Sequence, residues 1–238
     1  DIPEGPEDAK PAIPNEAKMT DKPILFSAPM VRALLAGTKT QTRRVAGVPT
    51  IEPQGTGYHV YTKGGGAWCV DKVGALVAAA DYLPFQPGDR LWVREAWRPS
   101  YDAEGWRDDL QRDARPSDFD PATTAIEYLA DGTNELGGKG RPGIHMPRWA
   151  SRLTLAVTAA RVERLQEISE DDARAEGAYV APKTGRVADS YFDMAVMGTY
   201  FHTARDWYAN LWCRLNGATS WALNPYVAAY TFTVEKKP

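Results

Sequence analysis

Lys39, Thr42, Arg43 and Arg44 fall within six residues, in the run Ala36-Gly37-Thr38-Lys39-Thr40-Gln41-Thr42-Arg43-Arg44. No acid occurs between Asp21 and Glu52, although the chain carries a net charge of −3. A lysine that is buried or crowded by other cations has a lowered pKa and can act as a base near neutral pH. A threonine hydroxyl three positions on is a nucleophile that such a base can activate. The third candidate is Glu176, just before Gly177 at the end of a short predicted helix. A carboxylate there faces the unfavourable end of the helix dipole, where an ordinary surface would sooner carry lysine. It suits a group that protonates a leaving amine or orients a substrate. Arg44 would hold a phosphate or a carbonyl oxygen. The competing reading is a non-catalytic nucleic-acid module, with Lys39, Arg43 and Arg44 on phosphates and Thr42 capping the turn.

Two further stretches interleave basic and aromatic residues. In Arg90-Leu91-Trp92-Val93-Arg94-Glu95, strand alternation puts Leu91 and Val93 on one face and Arg90, Trp92 and Arg94 on the other. In Arg148-Trp149-Ala150-Ser151-Arg152, Trp149 follows one arginine and precedes another, and no acid occurs from Gly140 to Val162. Tryptophan offers a stacking surface and arginine a phosphate contact, the pair a nucleic-acid groove uses. Trp92, Arg94, Glu95, Arg148, Trp149 and Arg152 are therefore candidate contacts to a nucleic acid or nucleoside. The alternative is that both tryptophans pack in the core and the arginines pair with acids.

Other chemistries find no support. His59, His145 and His202 are scattered, with no two at the spacing of a metal site, and Cys69 and Cys213 are equally far apart. No metal and no cofactor is expected. The cysteines read as two free thiols of a cytoplasmic protein. No charged-then-apolar leader opens the sequence and no apolar run nears the ~20 residues that span a bilayer, so neither secretion nor a membrane partner is expected. Mild overall acidity leaves nucleic-acid binding to local patches.

These residues need elements to position them. Residues 1–21 hold repeated proline and charge with few large apolar side chains, which predicts a disordered or draped extension. Residues 22–238 read as a single domain. Ile24–Ser27 suits a first strand, and Pro29 opens a short helix with Met30, Ala33 and Leu34 inward and Gly37 at its C-terminal cap. Pro87-Gly88-Asp89 turns into the 90–95 strand. Residues 125–130 read as a strand, and Leu153, Leu155 and Val157 alternate in another. Ser169 and Asp172 form a capping box for the helix ending at Gly177. From Tyr200 to Leu215, Phe201, Ala204, Tyr208, Leu211, Trp212 and Leu215 give an apolar stripe assigned to the core. Tyr226 to Val234 alternates in a closing strand with one aromatic face. Long insertions are expected near 46–85, 99–146 and 178–199; the second is rich in aspartate without calcium-loop spacing.

The pattern Gly37-x-Lys39-x-x-Thr42-x-Arg44 resembles the signature of the ASCH domain, a branch of the PUA-like superfamily. Gly88-Asp89-Arg90-Leu91-Trp92-Val93-Arg94-Glu95 resembles the family's Gly-Asp-strand element. Arg152–Gly177 resembles its strand followed by an Ala-x-x-Glu-Gly helix end, and Asn224–Val234 its last strand. The combination looks most like the long versions found in phage genomes, which implies a bacterial cytoplasm. The resemblance implies an α+β fold with a small, mostly antiparallel β-barrel and two or three flanking helices. One small ASCH group removes the acetyl group of N4-acetylcytidine with a Lys, a Thr and a Glu, which match Lys39, Thr42 and Glu176. It implies an amidohydrolase acting on an N4-acylated cytosine, with Thr42 as nucleophile, Lys39 as base and Glu176 as acid or orienter; which of Lys39 and Thr42 attacks is left open. RNA- or DNA-binding modules and ribonucleases belong to the same family. The expected pocket lies between the 37–44 loop, the 90–95 strand, the 148–152 stretch and Glu176.

Overall fold

The computed structural model describes residues 21–45, 47–62, 65–100, 119, 121, 122, 124–132, 140–180, 191, 192 and 199–236. The expected extension over 1–21 lies outside them except for Asp21. So do most of the acidic insertion, Gly64, the stretch 133–139 and most of the insertion near 178–199.

The central sheet has five strands in the order β1 (Asp21–Leu25), β6 (Arg90–Arg94), β9 (Leu153–Arg164), β13 (Tyr226–Lys236) and β2 (Gln41–Arg44). Only β1 and β6 run parallel; the other pairs are antiparallel. With four α-helices among the described residues, the architecture is α+β with mostly antiparallel sheets. The main-chain ladder does not close into a barrel. Its two ends are linked instead by one side chain, as Arg44 Nη2 donates to the Leu25 carbonyl at 2.7 Å.

Helix α1 (Ala28–Leu35) starts at Pro29 and stops where Gly37 takes a left-handed φ of 74°. Its buried residues are Val31 and Leu34, while Met30 is only half-buried. The apolar face thus keeps Leu34 and adds Val31, while Met30 packs at the margin of the same core. Val31 and Leu34 pack on Leu91, Val93, Leu153 and Leu155, the inward sides of β6 and β9.

The described residues of the insertion after β2 build a cover for the sheet. They form a three-stranded meander, β3 (Thr50–Gln54), β4 (Gly57–Thr62) and β5 (Gly65–Cys69), and then helix α2 (Lys72–Ala80). Asp71 caps α2 by accepting from the Gly74 amide at 2.7 Å. Ile51, Val60, Ala75, Ala79 and Leu83 close over Val162, Ala228 and Tyr230. Helix α4 (Ala204–Asn216) packs Tyr208 and Trp212 against Val227. Strand β13 is therefore covered on both faces, and Val227 to Tyr230 are all buried. Its aromatic residues Tyr226, Tyr230 and Phe232 alternate on one face as expected; a bulge opposite Thr231/Phe232, with Thr158 of β9 as the extra residue, shifts the register. A smaller pair, β7 (Trp97–Ser100) with β8 (Ala125–Tyr128), covers a satellite cluster of Trp97, Phe119, Met146 and Ala150. Three two-residue strands, β10 (Tyr179–Val180), β11 (Tyr191–Phe192) and β12 (Tyr200–Phe201), form a separate small sheet.

Candidate functional site

The loop after Gly37 is pinned from both sides. The amides of Thr38 and Lys39 donate to the Ala33 carbonyl of α1, and the Thr40 amide donates to Ala175 at 2.8 Å. Ala175 ends helix α3 (Glu170–Ala175), and Glu176 caps it. Lys39 and Glu176 consequently face each other across an isolated antiparallel bridge, although 137 residues separate them in sequence. Lys39 Nζ donates to Glu176 Oε2 at 2.7 Å, to the Glu176 carbonyl at 2.9 Å and to the Gln41 carbonyl at 2.8 Å. Three acceptors use all three protons of an ammonium. Lys39 is fully buried, and burial lowers its pKa; Glu176 opposes that shift, while Arg44 and Arg43 add to it.

Glu176 takes a second cation on its other oxygen, Arg43 Nη1 at 3.0 Å. The unfavourable helix end is thus offset by two positive charges. Arg43 is itself clamped: Nε donates to Glu163 Oε1 at 2.7 Å, Nη2 to Asp172 Oδ2 at 3.0 Å and Nη1 to Gln41 Oε1 at 3.1 Å. Arg161 bridges the same two acids, reaching Glu163 at 2.7 Å and Asp172 at 2.6 Å. Burial pulls the Arg43 pKa down, and Glu176 and Glu163 more than reverse it. Ser169 caps α3 by accepting from the Asp172 amide at 3.1 Å. The Asp172 carboxylate turns away to Gln41, Arg43 and Arg161, so only half of the expected capping box forms.

Thr42 and Arg44 behave differently. Neither has a carboxylate partner among the described residues, and the Thr42 hydroxyl has no hydrogen-bond partner there. Both line a cleft of about 500 Å³, the size of a small-molecule site. Leu25, Ser27 and Met30 form one wall; Tyr208, Leu211, Trp212, Leu215 and Asn216 of α4 form the other; Arg43, Val45 and Glu176 share the floor. Arg44 stacks 5.1 Å from the Phe26 ring, and burial lowers its pKa. The cleft thus has an apolar, aromatic body and one end carrying a hydroxyl, a carboxylate and a guanidinium.

The remaining candidates do not line this cleft. Trp92 is buried between the guanidinium groups of Arg94 at 4.6 Å and Arg148 at 6.0 Å. Arg148 pairs with Asp21 at 2.7 Å. Trp149 packs edge-on to Trp97, with ring centres 6.3 Å apart. Arg152 forks between Glu95, at 2.9 and 3.0 Å, and Asp131, at 2.8 Å twice, over the Tyr128 ring. Burial raises the pKa of Glu95, against the pull of Arg152. The sequence supplied Lys39, Thr42, Arg43, Arg44 and Glu176; Tyr208 and Trp212, assigned to the core, are indeed buried there and border the cleft as well. No sequence signal marked them for the cleft: Tyr208, Leu211, Trp212 and Leu215 are spaced as one packed helix face, and only the fold shows that the edge of that face also borders the cleft. Among the described residues no group of His, Cys, Asp and Glu could hold a metal ion, and no helix is long and apolar enough to cross a membrane. No family model, no curated protein and no solved structure matches the chain.

Proposed function

We propose that the protein is an ASCH-type amidohydrolase that removes an acyl group from an N4-acylated cytosine nucleoside. The observation that carries the reading is the meeting of Glu176 with Lys39 at 2.7 Å, with Glu176 and Thr42 in one cleft. Thr42 Oγ attacks the acyl carbon and passes its proton to Glu176. The carbon–nitrogen bond breaks, and Glu176 hands that proton to the departing N4 amine. Water then attacks the acyl-threonine ester, losing a proton to Glu176. The carboxylic acid leaves as Thr42 recovers its proton. Arg44 stabilises the negative oxygen in both tetrahedral steps.

Roles follow from exposure to the cleft. Thr42 reaches it and Lys39 does not, which supports Thr42 over Lys39 as the attacking group. Lys39, with its three protons donated, positions Glu176 together with Arg43 instead of acting as the base. The bond from Arg44 to Leu25, which ties the two ends of the sheet, is what supports a PUA-like barrel reading of the fold.

A polynucleotide-binding module or a ribonuclease has less support. Of its candidate phosphate contacts, Lys39, Arg43, Arg148 and Arg152 are paired with acids, and only Arg44 and Arg94 lack an acid partner among the described residues. The test is release of cytidine from N4-acetylcytidine and its longer N4-acyl analogues. Thr42→Ala should fall to background, and Glu176→Gln should lose about 10²–10⁴-fold, the usual worth of a proton-transferring group. Absence of turnover by the wild type on every acyl nucleoside would sink the proposal.

A further inference from the structure

Tyr208 carries a polar atom for which packing gives no reason. Its ring is held in an aromatic cluster, with ring centres 6.5 Å from Trp207, 6.1 Å from Trp212 and 6.3 Å from Trp221. Phenylalanine would fill that cluster equally well. The residue is 3% exposed, yet it lines the cleft beside Thr42, Arg44 and Glu176. Its hydroxyl has no hydrogen-bond partner among the described residues. The oxygen is not one of the atoms sealed from solvent without a partner, so it is left accessible in the cleft that the residue lines.

The surroundings fix what such a hydroxyl can do. Burial pushes its pKa well above the ordinary value, Glu176 adds to the shift, and Arg43 and Arg44 oppose it. The group therefore stays protonated and serves as a donor. The Arg43 guanidinium carbon lies 5.9 Å from the ring and, with its network of acids, holds the side chain against the cleft floor. Arg44 presents its own unpaired donors to the same space.

We propose that the Tyr208 hydroxyl and Arg44 together form the oxyanion site, both donating to the acyl oxygen as it becomes negative. This rests on the amidohydrolase reading. No proton leaves Tyr208 in the cycle; it strengthens one hydrogen bond as the carbonyl becomes tetrahedral and relaxes as the oxyanion collapses. A donor aimed at developing charge acts on the transition state more than on bound substrate.

Tyr208→Phe removes only the oxygen, leaves the ring contacts in place and strands no protein group, so the variant should fold with the wild-type melting temperature. On N4-acetylcytidine its kcat should fall about 10²–10³-fold, the usual effect of losing one oxyanion donor, with KM changed less than about threefold. A second readout separates this role from a structural one. Sulfur accepts hydrogen bonds weakly, so the wild type should discriminate against the N4-thioacetyl substrate more than alkaline hydrolysis does. Tyr208→Phe should lose much of that discrimination. An active wild type with an equally active Tyr208→Phe, or with an unchanged oxygen-to-sulfur ratio, overturns the role of Tyr208 and leaves Thr42 and Glu176 untouched. An inactive wild type overturns the amidohydrolase reading on which it stands.

Discussion

Lys39 is buried completely, and its three hydrogen bonds end on Glu176 and Gln41. Removing one member of a buried ion pair costs about 3–5 kcal/mol when the other is left uncompensated; here Arg43 still holds Glu176, so the cost of losing Lys39 falls at the low end of that range. Lys39→Met should lower the unfolding free energy by that amount in denaturant titrations. Adding Glu176→Leu should restore part of it, because the two losses are coupled. Simple additivity of the two changes would mean that the pair does not act as a unit. The pKa direction gives a second test. Burial lowers Lys39 in the folded protein from 10.5. In the window just below 10.5 the unfolded chain binds the more protons, so this group adds stability as pH rises. Below the window both states are charged and the burial penalty is felt in full. The Lys39 Cε resonance should titrate at lower pH than those of exposed lysines; coincidence with them would contradict the assignment.

At the scale of elements, Gly177 decides how α3 delivers Glu176. Its φ is 100°, and a Cβ there would lie 2.9 Å from Ala33 Cβ and 3.2 Å from Lys39 Cβ. Gly177→Ala should cost about 1–2 kcal/mol from backbone strain alone, and more from pushing α1 and the Lys39 loop away. Turnover should drop with it, since the displaced atoms carry Glu176. A variant with wild-type stability and turnover would show that the turn is not what sets the site. Elements with local signals were readable in the sequence: Pro29 and Gly37 around α1, Gly88 before β6, Ser169 and Gly177 around α3. Helix α2 was not read, because its alanine-rich run lacks a polar face of the right period and only Asp71 marks its start. The two-sided burial of β13 was hidden for a different reason. Alternation reports one covered face, and the second cover comes from a meander of which the sequence offers only the run Tyr58-His59-Val60-Tyr61 as a hairpin strand within an insertion.

At the scale of the molecule, charge pairing separates a nucleoside enzyme from a polynucleotide binder. The sequence displayed the arginines but not their acids, which arrive from distant segments: Asp21 to Arg148, Asp131 and Glu95 to Arg152, Glu163 and Asp172 to Arg43. That is why Lys39, Thr42 and Glu176 could be read as a set, while the fate of Arg148, Trp149 and Arg152 could not. A protein that neutralises six to ten phosphates loses about 10³–10⁵ in affinity between 50 and 200 mM salt. Cations already paired with carboxylates displace few counterions. A neutral acyl nucleoside, held by apolar walls and one guanidinium without a carboxylate partner, should bind with a KM that changes less than about twofold over the same range, since little screened charge is involved. Salt titration of KM for N4-acetylcytidine, alongside binding of a single-stranded oligonucleotide, measures both. A flat KM with weak oligonucleotide binding is expected. A steep salt slope with tight oligonucleotide binding would mean that the arginines exchange their acids for phosphates, and the cleft would then be one station on a longer nucleic-acid track.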